Sequence, residues 1–372
     1  MLPAVFLGAV VYCNPMTREN WWAVGGAVAL AVFISLFGSG STVVEMPENP
    51  GFLLLPATTT DANPLAASPA AVPAAPTTTP AEKPTEPSDT TEADLARSLG
   101  SLRRALVNII CVAKDTPLRS VSATGVIFDS RGLILTNAHI AQYLVLEDVL
   151  PDGAIECVIR TGSPARPAYD ARVAYISSTW LNDNPRTLVT AAPKGTGKND
   201  IAVLAISKSL TDSVLPVSFN FVPISKDEPF LSQDVSIGSY GAQTLTTAQI
   251  VSTLYPTLVF GSILDQFTFE TTTFDLMSLG GSAVAQHGSS GGGVVNTRGE
   301  LIGLITTSST EGTLFSRDLR AVTSAHVRRS FRTDMSADFD TYFSSRTLSA
   351  LVEGFAGRST ALGEDLRNEI GL

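Results

Sequence analysis

From about residue 95 onward, the sequence consists of short apolar runs of strand length, separated by Gly, Pro, Asp and Asn. The runs are rich in Val, Ile and Thr, and they include "ATGVIFD", "GLILTNA", "DIAVLAI", "DVSIGSY" and "ELIGLITT". Helical periodicity is weak until "DLRAVTSAHVRRSF" and the C-terminal "LSALVEGFAGRSTALGEDLRNEI". Many short strands with few helices predict an all-β fold, either a barrel or a pair of sandwiches.

The N-terminal part of the chain is different in kind. Residues 21–39, "WWAVGGAVALAVFISLFGS", carry no charge and are about as long as one membrane-spanning helix. Two tryptophans stand at the start of this segment, Arg18 precedes it and two glutamates follow it. Because positive charge favours the cytoplasmic side, we expect the N-terminus inside and everything after about residue 45 outside. A cleaved signal peptide and a buried core helix are the alternatives to this anchor, and Met16 is an alternative start to Met1.

A linker follows the apolar segment. Residues 56–93 are rich in Pro, Ala and Thr and contain almost no large apolar side chains, so they cannot form a core. Pro-rich chain is extended and semi-rigid, which would let this linker hold a domain up to roughly 100 Å from a bilayer.

Charge and cysteine content bear on the partners of the protein. The net charge is −10 and the pI is near 4.8, which argues against a nucleic-acid partner and against a basic membrane-surface patch. The cysteines Cys13, Cys111 and Cys157 show no CxxC or CxxH spacing, so we expect no zinc site. A Cys111–Cys157 disulfide requires an exported domain, and two small buried thiols are the favoured interpretation.

The stretch "AQHGSSGGGVV", residues 285 to 295, is too rich in glycine for a stable helix. It is either a flexible turn or the site of a nucleophile whose neighbouring N–H groups approach a substrate. A serine hydroxyl needs a base within hydrogen-bonding reach, and the base needs an acid that orients it. Glycines let backbone N–H groups converge on a developing oxyanion without Cβ clashes. The bases to consider are His139, His287 and His326.

Two chain orders fit "GSSGG". A nucleophile elbow would use Gly288, Ser290 and Gly292, followed by Asp318 and His326. An elbow requires a helix directly after the serine, whereas "GGGVVNTRG" predicts a strand and a turn, so this reading is disfavoured. The other order is His, Asp, Ser. In that order His139 closes "TNAHI", Asp200 opens "NDIAVLAI" after Asn199, and Ser290 lies in "GSSGG".

With these residues in place, the chain resembles the trypsin-fold serine proteases, nearest to the bacterial HtrA type. The matching stretches are "TGVIFDSRGLILTNAHI", "NDIAVLAI", "VSIGSYG", "TLTTAQIVS" and "GSSGGGVVNTRGELIGLIT", in the family order over about residues 100 to 330. The resemblance implies two six-stranded antiparallel β-barrels with the site in the cleft between them. It also implies a serine endopeptidase that needs no metal and no cofactor.

The resemblance assigns a role to each residue. It makes His139 the general base and then the general acid, and Asp200 the group that holds the imidazole tautomer. Ser290 would be the nucleophile, and the N–H groups of Gly288 and Ser290 would form the oxyanion hole. Ser289 falls where the family tolerates a polar bystander. Asp183, in a polar loop, is the rival to Asp200 as the acid.

Further residues are predicted at the substrate site. Thr306 matches the strand whose backbone pairs with an extended substrate, and its hydroxyl could help to hold Asp200. The floor of the primary specificity pocket would fall near Val284, so we expect cleavage after a small or medium apolar residue rather than after Lys or Arg. His287 and His326 are expected to be bystanders, His287 before the glycine run and His326 in a helix.

The chain departs from the HtrA pattern at three points. The stretch from His139 to Asp200 is longer than usual, and "SSTWLNDNPRTLVTAAPKGTGK" is expected to be a surface loop near the cleft. Gly293 stands where the family usually has proline. The C-terminal remainder is too short for a PDZ domain, so neither the regulation nor the trimer of HtrA enzymes is carried over, and the sequence leaves the oligomeric state open.

Together these features predict a membrane-tethered extracytoplasmic serine endopeptidase acting on protein or peptide substrates. The alternatives are a catalytically idle protease fold used as a binding module, and a structural stalk. The predicted order is a cytoplasmic N-terminus (1–20), a transmembrane anchor (21–43), a disordered linker (44–95), a trypsin-like protease domain (96–332) and a C-terminal helical extension (333–372).

Overall fold

A computed structural model describes residues 89–190, 195–211, 213–270, 272–308 and 312–372. The predicted cytoplasmic N-terminus, the predicted anchor and most of the predicted linker lie outside the described residues. Within these described ranges, no helix combines the length and the apolar character that crossing a membrane requires.

The first half of the described chain forms a closed six-stranded antiparallel barrel, with strand order β1-β2-β3-β6-β5-β4. Its strands are β1 (Leu106–Ala113), β2 (Val121–Asp129), β3 (Leu133–Thr136), β4 (Ile155–Thr161), β5 (Arg166–Ile176) and β6 (Ala202–Ser209). The β-branched and leucine side chains of β1, β3 and β6 fill its interior, as expected for strands that are buried in a core. This barrel matches the sequence prediction.

The second half forms a seven-stranded antiparallel sheet, with strand order β8-β7-β11-β12-β13-β10-β9. Its strands are β7 (Asp234–Ser239), β8 (Thr257–Ser262), β9 (Asp265–Phe267), β10 (Leu276–Gly280), β11 (Gly293–Val295), β12 (Leu301–Ser308) and β13 (Leu319–Thr323). The prediction of a second closed six-stranded barrel is therefore only partly right. The two edge strands β8 and β9 follow each other in the chain, separated by Ile263 and Leu264. One bent ribbon thus pairs with β7 through its first part and with β10 through its second part, so the two edges of the seven-stranded sheet lie in the same ribbon.

The helices lie around these two sheets. They are α1 (Asp89–Ala105), α2 (Ala138–Glu147), α3 (Ser178–Asp183), α4 (Thr247–Thr253), α5 (Ser324–Met335), α6 (Phe339–Ser344) and α7 (Leu348–Ile370). Short 3-10 turns occupy Thr187–Val189 and Leu314–Ser316.

Helix α1 corrects the predicted boundary of the linker, because it begins at Asp89 rather than after residue 95. Leu102 and Ala105 on this helix are fully buried. Ser98 is also buried, and its hydroxyl is 2.9 Å from the hydroxyl of Ser236 on β7. The end of the Pro/Ala/Thr-rich stretch therefore belongs to the folded domain, since its apolar face covers the second sheet.

The C-terminal helices confirm the predicted helical extension, but they are part of the core of the first barrel. Phe331 on α5 and Phe355 on α7 both make edge contacts with the ring of Tyr175 on β5, with centroids 4.7 and 6.0 Å apart. Both phenylalanines are almost completely buried. Helix α7 also crosses α2 closely at Gly363, where a Cβ would come within 2.9 Å of the carbonyl oxygen of Val145.

A disulfide joins Cys111 on β1 to Cys157 on β4. The favoured interpretation of two buried thiols was wrong. The register of the barrel explains the pairing, because Cys111 and Cys157 are directly opposite each other in the antiparallel ladder. Sequence spacing could not reveal this register, which depends on how β1 and β4 close the barrel.

Candidate active site

His139 and Asp200 meet because β3 and β6 are antiparallel neighbours. Thr136 at the end of β3 is opposite Ala202 at the start of β6. His139 lies in the first turn of α2, directly after β3, and Asp200 lies just before β6. The imidazole Nδ1 of His139 is 2.7 Å from Oδ2 of Asp200, and the backbone N–H of His139 donates to Oδ1 at 2.9 Å. Because an ionised carboxylate only accepts hydrogen bonds, Nδ1 carries the proton and Nε2 is left as the basic atom.

Further contacts fix the carboxylate of Asp200. Its side chain is 6% exposed, and Oδ2 also accepts a hydrogen bond from the hydroxyl of Thr306 at 3.2 Å. The side-chain amide of Asn137 donates to the backbone carbonyl of Asp200 at 2.9 Å. The hydrogen bond from Thr306 is the contact that the sequence predicted. The buried carboxylate thus holds its negative charge with three donors, as buried charges require.

The imidazole ring of His139 is half-buried and lies beside an aromatic side chain from the long insertion. The ring centroids of His139 and Trp180 are 6.3 Å apart, and Trp180 is buried on α3. The insertion was expected to be a surface loop near the cleft. In its described part it folds into α3 and a 3-10 turn, and Trp180 brings it against the candidate base.

Ser290 lies in a tight turn, and the backbone on either side of it adopts conformations that favour glycine. Gly288 has φ of +94° and Gly291 has φ of +82°, in the region that side chains rarely adopt. A Cβ on Gly291 would come within 1.9 Å of the carbonyl oxygen of Thr124. The glycines of "GSSGGG" therefore serve a specific backbone path, as the nucleophile interpretation expects.

Strand β12 links this turn to the acid. Gly291 N–H donates to the carbonyl of Ile305 at 2.9 Å, and Ile305 N–H donates to the carbonyl of Gly292 at 2.8 Å. Thr306, the next residue, bonds to Asp200. One strand thus carries contacts to the serine turn and to the acid at adjacent residues.

The peptide groups around Ser290 are held from the back by carbonyl hydrogen bonds. The carbonyl of His287, in the same peptide group as Gly288 N–H, accepts from Ala242 N–H at 2.8 Å, and the carbonyl of Ser289, in the same peptide group as Ser290 N–H, accepts from Gly292 N–H at 2.9 Å. Among the described residues, the N–H groups of Gly288 and Ser290 have no acceptor. Two N–H donors that point away from anchored carbonyls are what an oxyanion hole requires.

Thr124, on β2, is a residue that the sequence analysis missed. It is fully buried, and all of its polar groups form hydrogen bonds. Its hydroxyl donates to the carbonyl of Gly288 and accepts from Tyr240 N–H. Its N–H donates to the carbonyl of Ser290 at 2.9 Å. Its carbonyl accepts from the hydroxyl of Thr136 at 2.8 Å. The only signal in the sequence was a polar residue within the apolar run "ATGVIFD".

Ser289 differs from Ser290 in its surroundings. Ser289 is buried and its hydroxyl accepts a hydrogen bond from the hydroxyl of Ser239 at 2.8 Å. Ser290 is partly exposed. The bystander role predicted for Ser289 fits a side chain that is turned inward and paired.

The rival acids and bases lie elsewhere. Asp183 is exposed at the end of α3, and His287 is exposed before the glycine run. His326 pairs with Asp275 rather than with Asp318, which instead bonds to Ser278 and Arg320. The nucleophile-elbow order is therefore unsupported, since its acid and base do not meet and β11 rather than a helix follows the serine.

Val284 is the residue near which the floor of the primary specificity pocket was predicted. Val284 is fully buried in the core of the second sheet, so its side chain packs inward in this structure. The carbonyl of the next residue, Ala285, accepts from the guanidinium of Arg317 at 3.0 Å, and Arg317 also donates to Oε1 of Gln243 at 2.6 Å. The pocket floor near Val284 stays a prediction.

Metal ligands do not cluster in the part of the chain that the structure describes, where no three His, Cys, Asp or Glu side chains are placed to share an ion.

The family model "Trypsin-like peptidase domain" matches residues 123–304. The matched segment runs from β2 to β12 and contains His139, Asp200 and Ser290. The chain therefore carries a trypsin-like peptidase domain and is a serine endopeptidase. The predicted trypsin-fold serine protease is confirmed. No curated protein matches the chain.

Solved structures of serine proteases are similar to this chain. A serine endoprotease from Yersinia pestis is 19% identical, with 68% of each chain covered and a TM-score of 0.41. The active form of the Rv3671c protease from M. tuberculosis is 15% identical, with 71% of this chain and 94% of that chain covered and a TM-score of 0.41. The inactive form of the Rv3671c protease is 12% identical, with 64% and 92% covered and a TM-score of 0.39.

Proposed function

We propose that this peptidase hydrolyses peptide bonds through a triad of His139, Asp200 and Ser290. The observation that carries the proposal is the 2.7 Å hydrogen bond between Nδ1 of His139 and Asp200, which leaves Nε2 free to act as a base. The turn around Ser290 supports the proposed nucleophile and oxyanion hole, because the N–H groups of Gly288 and Ser290 have no acceptor among the described residues.

In the proposed reaction, Oγ of Ser290 attacks the carbonyl carbon of the scissile bond while its proton passes to Nε2 of His139. The N–H groups of Gly288 and Ser290 bind the oxyanion that forms. The carbon–nitrogen bond then breaks, and the imidazolium of His139 gives its proton to the leaving amine. Water, deprotonated by His139, hydrolyses the acyl-enzyme and restores Ser290. Asp200 stays ionised and stabilises the imidazolium.

The substrate is proposed to be a protein or peptide in extended form. It would pair with the backbone of β12 beyond Thr306, which reads main chain more than side chains. Side-chain selection would come from the pocket near Val284, with preference for a small or medium apolar residue before the scissile bond.

We also propose that the domain is tethered to a membrane and lies outside the cytoplasm. The uncharged segment 21–43 and the Pro-rich linker support the tether. The Cys111–Cys157 disulfide supports an exported domain, since disulfides persist mainly in oxidising compartments. The idle binding module is the second candidate, and the intact hydrogen-bonded His139–Asp200 pair disfavours it.

The test is fluorophosphonate labelling of the full-length chain in detergent, with Ser290→Ala and Ser289→Ala as matched variants. We expect labelling of wild type and of Ser289→Ala, and none of Ser290→Ala. Labelling that survives Ser290→Ala would show that another residue is the nucleophile. A folded wild-type protein that takes up no label would favour the binding module.

The location is tested separately. Expressed in cells, the chain should remain with the membrane fraction, and added protease should degrade its C-terminal domain in intact spheroplasts. Protection of the domain in intact spheroplasts would contradict the extracytoplasmic proposal.

A further inference from the structure

A second histidine–aspartate pair lies directly behind the candidate acid. His326, on α5, is 5% exposed, and its Nδ1 is 3.0 Å from Oδ1 of Asp275. Asp275 is 1% exposed and lies just before β10. Its carboxylate also accepts from Arg329 at 2.6 Å, from the hydroxyl of Thr273 at 2.6 Å and from Phe269 N–H at 2.8 Å. The proposed mechanism uses neither member of this pair.

The hydrogen bonds define the protonation state of His326. Its Nε2 is 3.4 Å from the backbone nitrogen of Asn199, which carries a hydrogen and can only donate. Nε2 must therefore be the acceptor, and Nδ1 carries the proton that it donates to Asp275. His326 is neutral in this arrangement, with each ring nitrogen bonded to a different segment of the chain.

Asn199 is the residue immediately before Asp200, and α5 holds it at two points. Besides the contact of its N–H with His326, its side-chain Oδ1 accepts from the hydroxyl of Ser330 at 2.9 Å. His326 and Ser330 are one helical turn apart on α5, so they face the same way. Asn199 also has φ of +59°, a left-handed conformation that needs support from its surroundings.

We propose that His326 is a positioning residue for Asp200, acting through Asn199. This inference rests on the proposed function, because it assumes that Asp200 is the acid of the triad. Asp275 fixes the imidazole, the imidazole fixes the N–H of Asn199, and the peptide that follows carries the carboxylate that orients His139. A helix C-terminal to the triad thereby sets the orientation of a residue more than a hundred positions earlier.

A purely structural role for His326 would need only its contact with Asp275. That carboxylate already has Arg329 as its counter-ion, and Lys198 is the other cation that acts on His326. The ring of Phe269 covers His326 at 4.9 Å between centroids. The contact of Nε2 with Asn199 leads to Asp200, so the experiment must remove this contact and keep the one with Asp275.

Two substitutions separate the two nitrogens of His326. Asn is the shorter side chain and places its amide near the position of Nδ1, so His326→Asn keeps a donor for Asp275 and loses the acceptor for Asn199. Gln is longer and reaches the position of Nε2, so His326→Gln keeps the acceptor for Asn199. Because one hydrogen bond is worth a factor of about ten, we expect kcat to fall about tenfold in His326→Asn and much less in His326→Gln, with KM unchanged in both.

The readout is steady-state cleavage of an apolar peptide substrate by the full-length chain, with thermal unfolding measured on each variant. Equal values of kcat in the two variants, or a larger loss in His326→Gln, would overturn the proposal. If His326→Asn fails to fold, Ser330→Ala replaces it, because it removes the other hydrogen bond to Asn199 without leaving Asp275 unpaired. No loss of kcat in Ser330→Ala would then overturn the proposal.

A second measurement does not depend on turnover, so it separates this inference from the proposed function. In the Ser290→Ala background, proton NMR detects the downfield Nδ1–H resonance of His139, identified by its loss in Asp200→Asn. We expect this resonance to persist with His326→Gln and to weaken or shift with His326→Asn. An identical resonance in both variants would overturn the positioning role. An inactive wild type with a responsive resonance would overturn only the proposed function.

Discussion

At the scale of single residues, the carboxylate of Asp200 accepts hydrogen bonds from three donors: the backbone N–H of His139, Nδ1 of His139 and the hydroxyl of Thr306. A carboxylate that only accepts is what keeps the proton of His139 on Nδ1. An amide at this position could turn an N–H toward His139 and favour the other tautomer, with the proton on Nε2.

Asp200→Asn should therefore lower kcat by roughly 10³- to 10⁴-fold while leaving the fold intact. Asp183→Asn is the matched control, because Asp183 is exposed at the end of α3, and the activity of this variant should equal that of wild type. Peptide hydrolysis by the two variants checks the assignment. Full activity in Asp200→Asn together with loss in Asp183→Asn would transfer the acid role to Asp183.

Thr124 gives a second prediction at this scale, since its hydroxyl holds the carbonyl of Gly288 and thereby fixes the Gly288–Ser289 peptide, which lies between the two peptide groups that carry the proposed oxyanion-hole N–H donors. Thr124→Val keeps the shape and the contacts of its own N–H and carbonyl, but it removes the hydroxyl that binds the carbonyl of Gly288 and Tyr240 N–H. We expect kcat to fall by about ten- to a hundredfold, because the oxyanion hole loses its alignment. Thr124→Ser keeps the hydroxyl and should restore most of the activity.

The decisive measurement for Thr124 compares two ligands. A peptide aldehyde, which forms an oxyanion on the enzyme, should bind more weakly to Thr124→Val than to wild type. KM for the matching peptide substrate should change little. Equal weakening of both would indicate a general packing defect rather than a misaligned oxyanion hole.

At this scale, the sequence predicts residues that stand in short motifs and misses residues that are defined only by partners distant in the chain. His139, Asp200 and Ser290 stand in short contiguous motifs, so the local string identifies them. Thr124 and His326 act through partners that are 164 and 127 positions away, Gly288 and Asn199 respectively. No local pattern records such partners, and a buried polar side chain in an apolar run is the only trace that they leave.

At the scale of elements, the C-terminal helices are structural parts of the first barrel. The cluster Arg358, Asp334 and Ser178 joins α7, α5 and α3, with Arg358 donating to Asp334 at 3.0 Å and to the hydroxyl of Ser178 at 2.6 Å. Helix α3 carries Trp180, which lies beside the imidazole of His139. The helical extension therefore packs against the segment that borders the candidate base.

Phe355→Ala tests whether α7 is integral to the fold. Phe355 is 1% exposed, and removing its ring leaves a cavity beside Tyr175, so we expect a loss of about 3–5 kcal/mol in the free energy of unfolding. Glu353→Ala, on the exposed side of the same helix, should change this free energy by less than about 0.5 kcal/mol. Urea unfolding measures both. Equal small changes would mean that the helix is only loosely attached.

Element types were more predictable than element limits. The strand-length apolar runs predicted most of the strands, and the C-terminal periodicity predicted the helices. The start of α1 was missed because the composition of "PSDTTEADLARS" continues that of the linker, and only the second sheet makes its helical form favourable. The second barrel was predicted with six strands, whereas the sheet has seven, because strand counting does not register the bend at Ile263 and Leu264 that splits one ribbon into β8 and β9.

At the scale of the whole molecule, the two sheets are joined by buried polar contacts as well as by apolar packing. Thr124 of the first barrel bonds to the serine turn of the second sheet, and Thr306 of the second sheet bonds to Asp200 of the first barrel. The candidate site is thus built from both sheets, and its geometry depends on their being docked. The sequence could indicate this arrangement only through the family resemblance, since the interface is made by residues distant in the chain.

The buried pair of His326 and Asp275 predicts how the domain responds to acid. Burial lowers the pKa of His326 below its usual range, although the nearby carboxylate of Asp275 partly opposes this shift. The unfolded chain therefore binds a proton at His326 at a higher pH than the folded chain does. The stabilising contribution is complete above the unfolded pKa of about 6.5 and is lost as the pH falls from there toward the folded pKa.

Asp275 contributes in the same direction at lower pH. Hydrogen bonds from Thr273, Arg329, Phe269 and His326 outweigh the effect of burial and lower its pKa. Its contribution is present above the unfolded pKa of about 3.9 and is lost as the pH falls through the folded value. Acidification should therefore weaken the hydrogen bonds that hold Asn199 in two steps, first by protonating His326 and then by protonating Asp275.

We expect the free energy of unfolding to decrease between pH 7.5 and pH 5, and we expect His326→Gln to show a smaller decrease because Gln does not titrate. Urea unfolding at both pH values, on wild type and on this variant, measures the difference. His287→Gln is the control, since it makes the same replacement at an exposed histidine. If wild type and His326→Gln lose the same free energy over this range, then His326 does not couple proton binding to the fold, and the acid sensitivity of the domain must come from other groups.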